Sequence, residues 1–107
     1  MKILALEKEL PGASAEKFTP LLKAEASRVW ELTQSGALRE TYFRADRQAA
    51  VLILECGGVE EAQGLLSSLP LAAAGLIGFD IIPLAPYPGF ARLFAPGGKP
   101  IRTGGKT

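Results

Sequence analysis

Apolar residues along the chain fall into four short runs separated by two stretches with helical spacing. Lys2 to Lys8 (KILALEK) carries Ile3, Leu4, Ala5 and Leu6 and predicts a first strand. Pro11-Gly12 then turns the chain. Leu21, Leu22, Val29 and Leu32 share one helical face, which predicts a helix over about Pro20–Ser35. Thr19 is the expected N-cap and Pro20 the first helical residue, with Ser14 as a competing start. Gly36 supplies the left-handed stop. Ala37 to Asp46 (ALRETYFRAD) alternates as a second strand. Its period of two puts Leu38, Glu40, Tyr42 and Arg44 on one face, and Arg39, Thr41 and Phe43 on the other. Asp46 to Ala49 (DRQA) predicts a hairpin connection to a third strand, Ala50 to Cys56, which is apolar on both faces and therefore central. After Gly57-Gly58, Val59 to Leu69 reads as a second helix with Val59, Ala62, Leu66 and Leu69 as its inner stripe. That helix must end before Pro70, because proline lacks an N–H and pushes the preceding residue out of helical geometry. A small-residue bend over Leu71–Gly75 leads to a fourth strand, Leu76 to Ala85.

The order is βαββαβ, which predicts a ferredoxin-like α+β sandwich: four antiparallel strands with two helices on one face. Strands three and four carry apolar residues at both parities, yet the chain has helices for only one face of the sheet. The second face needs a partner, and pairing two such sheets gives a dimeric α+β barrel. A homodimer or higher homo-oligomer is therefore expected. Residues 1–88 form the expected domain, and residues 89–107 a Gly/Pro-rich tail. Tyr87, Phe90, Leu93 and Phe94 are apolar anchors at its start. Tyr87–Phe94 is expected to pack on protein, a neighbouring subunit included, and about the last ten residues to be mobile.

Composition narrows the function. A chain of 107 residues, 48% hydrophobic and 21% charged, suits one globular domain. The net charge of +1 speaks against nucleic-acid and membrane-surface partners. Residues 1–85 carry 8 Lys/Arg and 11 Asp/Glu, whereas residues 86–107 carry 4 Lys/Arg and no acid. The third strand, AVLILEC, also lacks the stacking aromatics of an RNA-binding sheet. With no His and one Cys, a standard zinc or haem site and a Cys–His nucleophile are not expected. No phosphate-binding glycine loop is present. No cofactor and no metal are predicted. The single cysteine, the lack of a signal-peptide pattern and the lack of a long apolar span predict a cytoplasmic protein with a small-molecule ligand.

Glu25 is the most informative single residue. Leu21, Leu22, Val29 and Leu32 stand three, four or seven positions away, so its carboxylate sits on the inner helix face. There it is either a general base or acid beside a cleft, or half of a buried ion pair with Arg28, Arg39 or Arg44. Glu40, Tyr42 and Arg44 form a polar stripe that either binds a small carboxylate and stabilises an enolate, or faces solvent or another subunit. Asp80 marks a dimer edge or pairs with an arginine. Trp30, Phe43 and Phe79 read as core or pocket wall, and Cys56 as a small core residue.

Several motifs together resemble the muconolactone isomerase family. The acidic helix ends in Leu-x-x-Ser-Gly, here Leu32-Thr33-Gln34-Ser35-Gly36, with Glu25 between one and two turns earlier. An arginine-containing strand follows (Arg44), then an apolar strand (Val51–Glu55). Leu69-Pro70-Leu71 precedes a strand ending in Pro83-Leu84. Where the family commonly has His-Pro, this chain has Tyr87-Pro88. The resemblance spans roughly residues 1–88. It implies small ferredoxin-like subunits that assemble through dimeric barrels and shift a double bond in a lactone by moving a proton, without a cofactor. On the enzyme reading of the residues, Glu25 moves the proton and Arg44 or Tyr42 holds the oxyanion, with Glu40, Trp30 and Phe43 as candidate substrate contacts. The alternative is a non-catalytic oligomeric domain that binds a small molecule or serves as a scaffold. A cavity beside Glu25 favours the first reading. A dry core with Glu25 locked to an arginine favours the second.

Overall fold

Ile3 and Ala5 are completely buried on the first strand, and the same parity recurs at Leu52 and Leu54 of the third. These four residues sit opposite one another, Ile3 against Leu54 and Ala5 against Leu52, so one face of the sheet is the core. The computed structural model describes residues 1–94. Its elements are β1 (Lys2–Glu9), α1 (Ala15–Phe18), α2 (Leu22–Ser35), β2 (Leu38–Phe43), β3 (Ala50–Glu55), α3 (Val59–Ser67), α4 (Pro70–Ala73) and β4 (Ile77–Pro83). A 3-10 turn over Thr19–Leu21 joins α1 to α2, and another covers Pro88–Phe94. All three strand pairings are antiparallel, in the order β2-β3-β1-β4. The fold is the expected ferredoxin-like α+β sandwich, with β3 and β1 central.

Leu32 from α2, Ala62 and Leu66 from α3, and Leu69 close the helical side of this core. Fully burying each leucine contributes about 1.5–3 kcal/mol. A second cluster of Leu71, Leu76 and Ile77 lies under α4 with Phe18 and Leu21 packed on it. Leu69 and Leu71 therefore bracket Pro70 inside the protein, and this anchors the short helix that faces α2.

Three local expectations are corrected. The first concerns the helix start. Ser14, not Thr19, is the cap: its side chain accepts from the Lys17 N–H, and α1 begins there. Thr19 is already helical, and its hydroxyl donates to the Ala15 carbonyl at 2.8 Å. Pro20 then tightens the chain into the 3-10 turn, because its missing N–H suits a helix start. The second concerns Pro70. It ends α3, as expected, but also opens α4 at the first helical position, where a small-residue bend was expected. The third concerns β2. A bulge between Leu38 and Glu40 lets Leu38 pair with Leu54 and Glu40 with Ile53. Arg39 is the extra residue, so the parity reverses across it. Leu38 consequently lies in the core at 2% exposure, on the face opposite Glu40.

The other sheet face carries Leu4, Leu6, Val51, Ile53 and Ile82, with no helix of the described chain over it. Asp80 on that face pairs with Lys8 at 2.7 Å, a lysine across the ladder and not an arginine. Tyr87, Phe90, Leu93 and Phe94 are exposed in the single chain, Phe94 at 82%. Tyr87 and Phe90 meet edge to face at 4.9 Å. A side chain at Gly89 would collide with the Tyr87 ring, so glycine is what permits that pairing. The expected mobility of the last ten residues lies outside the described residues. No helix among the described residues is long and apolar enough to cross a membrane.

Candidate active site

Between α2 and the inner sheet face lies a cavity of about 780 Å³. Thr41, Phe43, Ala50 and Leu52 line it from the sheet. Leu22, Ala26, Val29 and Trp30 line it from α2, and Leu69, Leu71 and Phe79 from the far side. Trp30 and Phe43 are 61% and 67% exposed and form its rim, with ring faces left partly in solvent.

Glu25 projects into this apolar space from the first turn of α2. Its Oε1 accepts the backbone N–H of Leu71 at 2.9 Å. That N–H is one of the free amides at the start of α4, where Leu69 offers no side-chain cap. Glu25 therefore serves α4 as a cap from another helix. Burial pushes its carboxyl above the ordinary range. The Leu71 hydrogen bond opposes that rise, and the negative charge of Glu7 adds to it. Glu25 makes no ion pair among the described residues; Arg28 is paired with Glu31, and Arg44 with Asp46. Glu7 also lines the cavity, and its Oε1 accepts the Ala50 N–H at 2.8 Å. Thr41 and Gln48 are further polar groups of the wall, and neither makes a side-chain hydrogen bond among the described residues.

A partly buried carboxyl with a raised pKa, set against an aromatic wall, can take up and return a proton. A family model described as muconolactone delta-isomerase matches residues 5–89. The chain belongs to the muconolactone delta-isomerase family. Among solved structures it is similar to a crystal structure of muconolactone isomerase, at 22% identity and a TM-score of 0.68, covering 82% of this chain and 92% of that one. It is also similar to 5-chloro-2-hydroxyhydroquinone dehydrochlorinase from Burkholderia phenoliruptrix in complex with 2,5-dihydroxybenzoquinone. There the identity is 18% and the TM-score 0.62, covering 79% of this chain and 94% of that one. No curated protein gives a significant match. At these identities the two structures speak for the fold, and the family model for membership.

Of the candidate site residues, the structure brings Glu25, Trp30 and Phe43 together in one cavity. Glu40, Tyr42 and Arg44 are not part of it. Glu40 and Tyr42 pair with Ile53 and Val51 and so lie on the opposite sheet face, where the Tyr42 hydroxyl donates to Glu40 at 2.7 Å. That bond raises the Tyr42 pKa. Arg44 lies just past the end of β2 and donates through Nε and Nη2 to the two oxygens of Asp46 at 2.8 and 2.6 Å. Arg44 is held further in its charged form, and the Asp46 carboxyl below its usual range, by that fork. Sequence reasoning missed Glu7, although a signal for it existed: Glu7 keeps the parity of the buried Ile3 and Ala5. Thr41 shares the predicted strand face of Phe43, whereas Gln48 carried no such signal. Cys56 is partly buried against the core, as expected for a small apolar residue.

Proposed function

We propose that this member of the family is a cofactor-independent isomerase that moves a proton within a small lactone or unsaturated acid. One observation carries the reading: Glu25 stands partly buried in an apolar cavity, hydrogen-bonded to a backbone amide and with no counter-charge among the described residues. In the reaction, the Glu25 carboxylate takes a proton from a carbon conjugated to the substrate carbonyl. The C–H bond breaks, an O–H bond forms on Glu25, and the electron pair moves into the carbonyl to give a dienolate. Glu25 then returns the proton to a different carbon of the same system. The double bond has shifted, and nothing has been oxidised or reduced. Thr41 and Gln48 are the wall donors suited to the enolate oxygen, and Trp30 and Phe43 would pack against the ring.

Arg44 and Tyr42 were the expected oxyanion holders. Their place on or beside the outer sheet face supports a role between subunits instead. A second copy packed on that face would form a dimeric barrel and cover Leu4, Leu6, Val51 and Ile53. Residues 1–88 would then be the catalytic domain, acting in the cytoplasm, and Tyr87–Phe94 would pack on a neighbouring subunit. The scaffold reading required Glu25 to be locked to an arginine in a dry core, and the cavity favours the enzyme. Incubating a β,γ-unsaturated butenolide with the protein in D₂O tests the proposal. Double-bond migration with deuterium incorporation is expected, and neither would occur with a mere scaffold.

A further inference from the structure

Glu7 keeps the inner-face parity of Ile3 and Ala5, one residue past Leu6, where the pairing of β1 with β3 reaches Val51. The next amide of β3, that of Ala50, donates to the Glu7 side chain, at 2.8 Å from Oε1. Glu7 is thereby fixed to the sheet while lining the same cavity as Glu25. Glu25 is held in turn by the Leu71 amide of α4 at 2.9 Å. Each carboxylate is tied to a backbone N–H of a different element, so the two keep a set relationship across the cavity. Among the described residues they are the only titratable side chains of its lining. Like charges in one partly buried space oppose each other's ionisation. Burial is the first cause of the raised Glu25 pKa, and the charge of Glu7 adds to it.

We propose that Glu7 is a positioning residue for the proton transfer: its carboxylate, fixed on the sheet side of the cavity, strengthens Glu25 as a base and sets the pH range over which the site works. The proposal rests on reading Glu25 as the proton carrier, and it assigns the residue that tunes that carrier. A stronger base takes a carbon-bound proton faster, but it also stays protonated to higher pH. Other charges stand around the site. Glu16 and Lys17 on α1, Lys23 on α2 and Arg47 before β3 adjoin lining residues in the chain. Glu9 follows on β1, and Lys8 turns to Asp80 on the outer face. Arg28 is held by Glu31 and Ser68, Arg44 by Asp46, and α4 carries no charge. All of these are the same in the natural protein and in a variant at Glu7, so a difference between the two reports Glu7. Glutamine keeps an acceptor oxygen for the Ala50 N–H, so Glu7→Gln removes the charge and leaves the bond.

The experiment uses the full chain with isotope-labelled glutamate carboxyl carbons, followed by NMR from acid to neutral pH. The Glu25 and Glu7 signals are assigned by their loss in Glu25→Gln and Glu7→Gln. In the natural protein each signal should register both titration steps, because interacting groups titrate as a pair. In Glu7→Gln the Glu25 step should move to lower pH with the melting temperature unchanged. Glu7→Asp, which keeps the charge, should hold that step close to its natural place. Deuterium exchange of a β,γ-unsaturated butenolide in D₂O is measured over the same range. Its acid limb should follow Glu25 to lower pH in Glu7→Gln, while the plateau rate falls by roughly tenfold or less. The two profiles should therefore cross, with the Gln variant faster at low pH, whereas a merely structural defect slows the reaction at every pH. A Glu25 titration that ignores Glu7 in the natural protein overturns the proposal, whether or not the lactone reacts. So does a Glu25 step that Glu7→Gln leaves in place. Proton exchange whose acid limb stays fixed in Glu7→Gln keeps the isomerase and overturns the role of Glu7. Coupled titration without any exchange on the lactone upholds the charge coupling and sinks the isomerase reading.

Discussion

The carboxylate of Glu25 and the backbone N–H of Leu71 are joined by a 2.9 Å hydrogen bond across the gap between α2 and α4. Pro70 makes this possible. It opens α4 without an N–H of its own, so the next amide, that of Leu71, needs an acceptor. The bond fixes where the carboxylate stands, and the apolar wall around it decides how readily the group holds a proton. Position and basicity thus come from different neighbours and can be altered separately.

The raised pKa of Glu25 predicts a pH dependence of stability. A carboxyl whose folded pKa lies above its unfolded value favours the fold in its protonated form. That contribution is fully present below the ordinary carboxylate pKa and is lost as pH rises through the raised value. Stability of the natural protein relative to Glu25→Gln should therefore fall as pH climbs through that interval. At neutral pH the Gln variant should melt at the same temperature or higher, since glutamine still accepts from Leu71. Thermal melts of both proteins across the acid-to-neutral range check this. A large drop in the Gln variant would mark Glu25 as half of a structural pair.

Trp30 and Phe43 rim the cavity but are largely exposed, so they matter more to a ligand than to the fold. Trp30→Ala should weaken binding of a small cyclic ligand by about tenfold or more, from the lost aromatic contact, and change the unfolding free energy by under about 1 kcal/mol. Ligand titration and denaturant unfolding of the same preparation measure the two effects side by side.

Much of the fold was legible because α2 and α3 state their helical period plainly, and β1 and β3 are short apolar runs bounded by turn signals. Gly36 stopped α2 as read, with φ of 86°. The bulge at Arg39 was not legible. Alternation in LRETYF is unbroken as written, and only pairing with β3 reveals the extra residue. For the same reason the Glu40–Tyr42 stripe could be recognised but not assigned to a face. Thr19-Pro20 had the form of a helix start, yet Ser14 had already begun one, and local capping signals do not rank themselves. Glu25 was found from its apolar neighbours at helical spacing. Its true partner, the Leu71 amide 46 residues away, is a product of the tertiary fold.

The bare sheet face predicts assembly. With Leu4, Leu6, Val51, Ile53 and Ile82 uncovered by the described helices, at least a dimer is expected. Light scattering at micromolar concentration should show no monomer, and Ile53→Asp should produce one. A natural protein that is monomeric under these conditions would contradict the dimeric barrel.

Tyr87–Phe94 is expected to pack on a neighbouring subunit, since its own chain leaves Tyr87, Phe90, Leu93 and Phe94 exposed. Truncation before Pro86 should lower the melting temperature or weaken the oligomer through loss of buried aromatic area. Unchanged melting and assembly would make the segment a linker.

The central claim is that Glu25 moves the proton. Deuterium exchange and double-bond migration of an unsaturated butenolide in D₂O, compared between the natural protein and Glu25→Gln, test it most directly. The Gln variant should assemble and melt normally while its rate falls by roughly 10²–10⁴-fold. An assembled Gln variant that isomerises the lactone at the natural rate would contradict the account.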